Sequence, residues 1–141
     1  MEESIFISNS PLDTARIAEK AAERLKGGET LLLSGELGAG KTTFTKALFA
    51  ALGVKETVTS PTFTIMKNYK GNRFSLHHID MYRMQTEEEV EELGLREEIE
   101  DGDITVIEWN KFSEFSGKVV TVDIAYLGEN KREIKIEGIA L

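Results

Sequence analysis

Thr30-Leu31-Leu32-Leu33-Ser34-Gly35-Glu36-Leu37-Gly38-Ala39-Gly40-Lys41-Thr42 is the stretch that decides the fold. An apolar run of buried-strand length is followed by a glycine-bounded turn, and then by a lysine and a hydroxyl residue. Residues 35–42 match G-x-x-x-x-G-K-[ST] at every fixed position. At average residue usage, chance would place this pattern in on the order of one chain in a hundred of this length or fewer. The order of the parts is what a phosphate requires. Glycines let successive backbone N–H groups turn inward, and the N-terminus of the following helix, expected over 41–52 and closed by Gly53, adds positive potential. Glu36, Leu37, Gly38, Ala39 and Gly40 therefore form the expected cradle. Lys41 supplies charge at the β/γ-phosphate oxygens, and the Thr42 hydroxyl is placed to ligate Mg²⁺. Thr43 falls either near the α-phosphate or on the helix surface.

A phosphate cradle of this kind needs a carboxylate on the metal side and a group that orients water. Two acids end strand-like runs: Asp80 after Leu76-His77-His78-Ile79, and Glu108 after Ile104-Thr105-Val106-Ile107. The second run is almost continuously apolar and β-branched, as a central parallel strand should be. An acid at the C-terminal end of such a strand points into the crevice where a ligand lies. Glu108 is accordingly the favoured base or water-positioner, with a possible metal link, and Asp80 the metal-side acid. The sequence does not divide the two roles further. Ser60-Pro61-Thr62-Phe63-Thr64 reads either as a phosphate-sensing segment or as an ordinary turn into a strand. Trp109 either covers the site beside Glu108 or is a core aromatic. His77 and His78 fall on opposite strand faces, so they make no metal pair and read as structural.

Working outward, residues 4–8 predict an edge strand. Ser10 caps a helix that has Pro11 at its first position and ends at Gly27-Gly28. Residues 63–69 and 73–79 predict a hairpin across Lys70-Gly71-Asn72. Thr86 and Glu89 have capping-box spacing at the head of an acidic helix over 86–93. Residues 119–127 and 132–139 predict a second hairpin across Gly128-Glu129-Asn130. The sum is an α/β chain of the P-loop NTPase type: a central, mostly parallel sheet with antiparallel additions, flanked by helices. Residues 1–141 are expected to be one domain, the usual size for a single core.

Composition narrows the function classes. The chain has 40% hydrophobic and 30% charged residues, no cysteine, and a formal net charge of −8. Disulfide frameworks and thiolate metal sites are excluded. No apolar run approaches bilayer length and no signal-like segment opens the chain, so no membrane association and a cytoplasmic setting are expected. The acidic balance, with Lys131-Arg132 the only adjacent basic pair outside the motif, argues against independent nucleic-acid binding. Asn110-Lys111-Phe112-Ser113 lacks the acid of a guanine-reading N-K-x-D, and Arg83 stands where a D-x-x-G switch beginning at Asp80 would need glycine. Adenine is the expected base.

Residues 35–43, then Ser60-Pro61-Thr62-Phe63-Thr64, His78-Ile79-Asp80-Met81-Tyr82-Arg83, Glu92-Leu93-Gly94 and Ile107-Glu108-Trp109 occur in this order and spacing. Together they resemble the TsaE family, the bacterial P-loop ATPase of tRNA threonylcarbamoyladenosine (t6A) biosynthesis. The resemblance covers nearly the whole chain and is weakest in the C-terminal hairpin, where only Arg132 matches. It implies an ATP- and Mg²⁺-dependent ATPase that acts with a TsaB–TsaD assembly. In that family the positions matching Lys41 and Thr42 serve phosphate and metal, Asp80 and Glu108 fall at the metal and hydrolysis site, and Thr14 and Arg132 fall near the nucleotide. The acidic helix is either a partner-docking element or a solvated face. Two other readings remain open: a nucleotide-dependent binding switch without significant turnover, and a small-molecule kinase. The kinase is disfavoured because no arginine-rich lid is visible, although Arg83 and Arg96 are candidates.

Overall fold

In a computed structural model, which describes residues 2–36 and 38–141, every residue of the run Ile104–Glu108 is buried. The sheet around this strand explains why. In chain order the elements are β1 (Glu3–Ser8), α1 (Pro11–Arg24), β2 (Thr30–Ser34), α2 (Lys41–Ala51), β3 (Met66–Lys70) and β4 (Ser75–Asp80). They continue with α3 (Glu87–Glu92), a 3₁₀ turn (Leu95–Glu98), β5 (Ile104–Glu108), β6 (Val119–Tyr126) and β7 (Arg132–Glu137). The strands form a seven-stranded sheet in the order β1-β7-β6-β2-β5-β4-β3. β2 runs parallel to both β5 and β6, and β4 parallel to β5. The additions β1–β7, β6–β7 and β3–β4 are antiparallel.

One face carries α1 and α2. In α1, Thr14, Ile17, Ala18, Ala21 and Ala22 are buried at helical spacing. Phe44, Leu48 and Phe49 of α2 are fully buried against the same core, each contributing roughly 1.5–3 kcal/mol through burial. The other face is covered only over the middle strands. There Ile79 and Ile107 pack with Val90 of α3, Leu95 of the 3₁₀ turn and Phe112. Among the described residues no helix is long and apolar enough to cross a membrane.

The local signals act as their chemistry requires. The Ser10 hydroxyl accepts from Asp13 N at 3.1 Å, with Pro11 in the first turn. The Thr86 hydroxyl accepts from Glu89 N at 3.2 Å. One expectation is corrected: the strand foreseen over 63–69 begins only at Met66. Ile65 takes φ +69, and its N–H donates to the Pro61 carbonyl at 2.8 Å. The preceding segment therefore forms a turn, and Phe63 stays exposed. A second correction is smaller: β4 runs from Ser75 through Asp80, so the acid belongs to the strand itself.

Candidate functional site

Parallel pairing brings the acids together. Asp80 of β4 lies in register with Glu108 of β5, and Glu108 lies in register with Leu33 of β2. Residues in register share a sheet face, so both carboxylates project where α2 begins. Lys41, the first residue of α2, is buried, with Nζ 4.0 Å from Glu108 Oε1. A cleft of about 410 Å³ is lined by Gly40, Lys41, Thr42, Thr43, Asp80 and Glu108, with Gly38, Ser60, Thr62, Tyr82 and Trp109 completing its wall. Asp80 Oδ1 accepts from Tyr82 N at 2.9 Å, and the backbone N–H of Met81 donates to the Glu108 carbonyl at 3.0 Å. The first bond fixes the turn that leaves β4, and the second holds the ends of β4 and β5 together beneath the cleft.

The glycine loop adopts conformations that a side chain would resist. Gly40 caps α2 at φ +109. Gly35 has φ +151, and a Cβ there would stand 2.6 Å from the Ile124 carbonyl oxygen. Leu37 lies outside the described residues. Glu36 is exposed and lines neither this cleft nor the smaller one beside it.

Lys41 is already engaged. Its ammonium donates to the Gly35 carbonyl at 2.8 Å and sits 3.9 Å from the centre of the Trp109 ring. Burial pulls its pKa below the ordinary value of 10.5, a pull that Glu108 and then Asp80 only partly counter. Trp109 therefore covers the site rather than filling the core. Its backbone is left-handed at φ +57, and its ring meets Tyr82 edge-on at 5.0 Å. The neighbouring Asn110 is occupied within its own loop, donating to the Phe112 carbonyl at 2.8 Å and accepting from Phe112 N at 3.0 Å.

Thr14 and Arg132 meet at a second, smaller cleft, with Ala39, Gly40 and Thr43 in its wall. The Thr14 hydroxyl is shared with Ser8 at 2.7 Å. Arg132 reaches back across the chain, donating from Nε to the Ala39 carbonyl at 2.9 Å and from Nη1 to the Gly128 carbonyl at 2.8 Å. It ties the glycine loop to the β6–β7 hairpin.

Sequence reasoning reads His78 as structural and does not link it to Glu108. The side chain is fully buried, and its Nε2 lies 2.7 Å from Glu108 Oε2. His77, on the opposite face, meets Asn68 Oδ1 and Asp103 Oδ2, each at 2.7 Å. Only the pairing of β4 with β5 reveals which of the two histidines touches the acid.

The donor set suits Mg²⁺: one hydroxyl at a helix start and a strand-end carboxylate are hard oxygen donors, with other hydroxyls nearby. Among the described residues no group of three or more His, Cys, Asp or Glu side chains gathers as an all-protein metal cage. Mg²⁺ beside phosphates does not call for one, since it takes one or two protein carboxylates and completes its shell with phosphate oxygens and water.

A strand, a glycine loop and a helix start facing register-paired strand-end acids define a P-loop protein of mixed α/β fold. The chain belongs to the TsaE family: the model described as "Threonylcarbamoyl adenosine biosynthesis protein TsaE" matches residues 8–134. Similar curated proteins carry the name tRNA threonylcarbamoyladenosine biosynthesis protein TsaE. The protein of Treponema pallidum is 38% identical over 92% of this chain and 97% of its own length. That of Aquifex aeolicus is 42% identical over 92% of each. The crystal structure of Bacillus subtilis YdiB superposes with a TM-score of 0.78 at 32% identity, covering 96% of this chain and 84% of that one.

Proposed function

We propose that this chain binds Mg·ATP in the larger cleft and hydrolyses it in support of t6A modification of tRNA, acting with a TsaB–TsaD assembly in the cytoplasm. The observation that carries the reading is the shared register of Asp80 and Glu108 opposite Lys41 and Thr42. Bound Mg²⁺ would supply positive charge against the negative charge that develops during phosphoryl transfer. Thr42 and Asp80 would hold it. Backbone N–H groups of the glycine loop and the Lys41 ammonium bind the phosphates, and the phosphates take the place of the Gly35 carbonyl at Nζ. Glu108 orients water and accepts its proton, working from a buried position where a fixed carboxylate acts without solvent reorganisation.

Family membership and the printed names of the relatives support the tRNA-modification role. Lys41 held between Gly35, Trp109 and Glu108 favours an ATPase that turns over slowly alone and is accelerated by its partner. The test is Mg²⁺-dependent ATP hydrolysis by the purified chain, with and without TsaB–TsaD. Turnover that rises with the assembly supports the reading. Binding of ATP without turnover in both conditions would leave a nucleotide switch instead.

A further inference from the structure

We propose that His78 is a positioning residue for Glu108: its Nε2–H fixes one carboxylate oxygen so that the other faces Lys41 and the cleft. The kinetic part of this proposal rests on the ATPase reading above. The geometric part does not.

β4 places His78 and Asp80 two residues apart, on the face covered by α2. His78 is opposite Val106 in register, so its ring reaches along β5 to Glu108, two residues further on. Phe49 of α2 packs edge-on against the imidazole, with ring centres 6.1 Å apart, and closes it from solvent. Both members of the pair are buried, and the contact between Nε2 and Oε2 is 2.7 Å. Against a carboxylate the shared proton belongs to Nε2, because a carboxylate only accepts. His78 Nδ1 is buried with no hydrogen-bond partner among the described residues. A bare ring nitrogen tolerates that position better than an N–H, whose donor would be left unsatisfied. The ring therefore presents Nε2–H to Glu108 and a bare Nδ1 to the core, and its one polar contact among the described residues is the one to Glu108.

That contact divides the carboxylate. Oε2 is tied to the protein interior, while Oε1 stands 4.0 Å from Lys41 Nζ. Without the donor, Glu108 is free to rotate towards the ammonium and pair with it more closely, which draws the carboxylate away from the place where water must be held. A group that only orients Glu108 changes the chemical step and leaves ground-state nucleotide binding nearly untouched.

The experiment compares His78→Gln, whose amide nitrogen can occupy the place of Nε2 and donate, with His78→Leu, which fills similar space without a donor. Both are assayed beside wild type and Glu108→Gln. His78→Leu is expected to lower kcat by on the order of ten- to a hundredfold, since small misplacements of reacting groups cost that much, with KM and ADP affinity within about twofold. His78→Gln is expected to recover most of the rate. In the Glu108→Gln background, His78→Leu should add almost nothing, because the two residues act as one unit. Wild-type kcat in His78→Leu, or equal loss in both His78 variants, overturns the proposal. A second measurement is independent of turnover: long-range ¹H–¹⁵N correlation of the His78 ring in the wild-type chain should show a protonated Nε2 and a bare Nδ1. A protonated Nδ1 overturns the geometric claim even if the variants misfold. Absence of hydrolysis in wild type would instead count against the ATPase reading, and the ring spectrum would still decide on His78.

Discussion

Two loops leave neighbouring strands of the same sheet and meet over one cleft, yet they are built on different principles. Among the described residues of the loop after β2, the backbone turns left-handed at glycines: Gly35, Gly38 and Gly40. The loop after β5 turns left-handed at Trp109, where a side chain must tolerate φ +57. A non-glycine residue in that region costs on the order of 1–3 kcal/mol, which the surrounding contacts have to offset. The Trp109 ring lies over Lys41 and against Tyr82, while Asn110 and Met81 hold the backbone behind it. The first loop owes its turns to its glycines, and Arg132 ties it to the β6–β7 hairpin. The second is shaped by what it touches.

The largest expected effect concerns the helix start that follows the first loop. On the proposed reading Lys41→Ala or Thr42→Ala should reduce Mg·ATP turnover at least about a hundredfold, since each removes a group assigned to phosphate or metal. Circular dichroism should show the fold retained. Calorimetric titration checks the binding, and unchanged affinity and turnover in both variants would break the assignment. Gly35→Ala comes next. Its Cβ would stand 2.6 Å from the Ile124 carbonyl at a strained φ, so a loss of roughly 1–3 kcal/mol in stability is expected. Urea unfolding measures it, and wild-type stability would mean that this loop is not held as described.

Asp80→Asn has a narrower effect. It should move the midpoint of a Mg²⁺ titration upward while leaving the maximal rate at saturating metal largely intact. The second loop offers an optical test, because Trp109 is the only tryptophan. Nucleotide should alter its emission as Lys41 leaves the ring, and the change should be much smaller in Lys41→Ala. Equal responses in both proteins would show that the ring does not report on the lysine.

The smallest effect lies furthest from the cleft. Ser113, in the middle of the second loop, donates from its backbone N–H and its hydroxyl to Glu87 of α3. These bonds, the backbone one foremost, hold the Glu87 carboxyl below its ordinary value of 4.5. A depressed carboxylate pKa contributes stability that is fully present above the unfolded value and lost as pH falls through the lowered folded value. Glu87→Gln should therefore lower the melting temperature slightly at pH 7, and the difference should shrink below about pH 4. A difference that persists unchanged in acid would assign it to packing.

The contrast between the loops also explains what could be read in the chain before folding. Lys41, Thr42 and the glycines were legible because the motif that carries them is contiguous. Asp80 and Glu108 were legible as acids closing apolar runs, but their juxtaposition was not, since it depends on strand register. Thr14 and Arg132 were indicated only by family resemblance, and the link from Arg132 to Ala39 spans most of the chain. His78 was hidden because His77 and His78 differ only in which face each takes, and in what β5 and α2 place there. The late start of β3 was hidden because Ile65 adopts a left-handed turn without the glycine or asparagine that usually signals one.

Glu108 tests the account most directly, since it faces Lys41 at the helix start after the first loop and immediately precedes Trp109 in the second. The measurement is the ATP hydrolysis rate of wild type and Glu108→Gln across a Mg²⁺ series, in the presence of TsaB–TsaD, with ADP affinity determined in parallel. The account predicts that Glu108→Gln binds nucleotide like wild type and keeps the same Mg²⁺ midpoint, while kcat falls by about 10²–10⁴-fold. Hydrolysis by Glu108→Gln at the wild-type rate would contradict it.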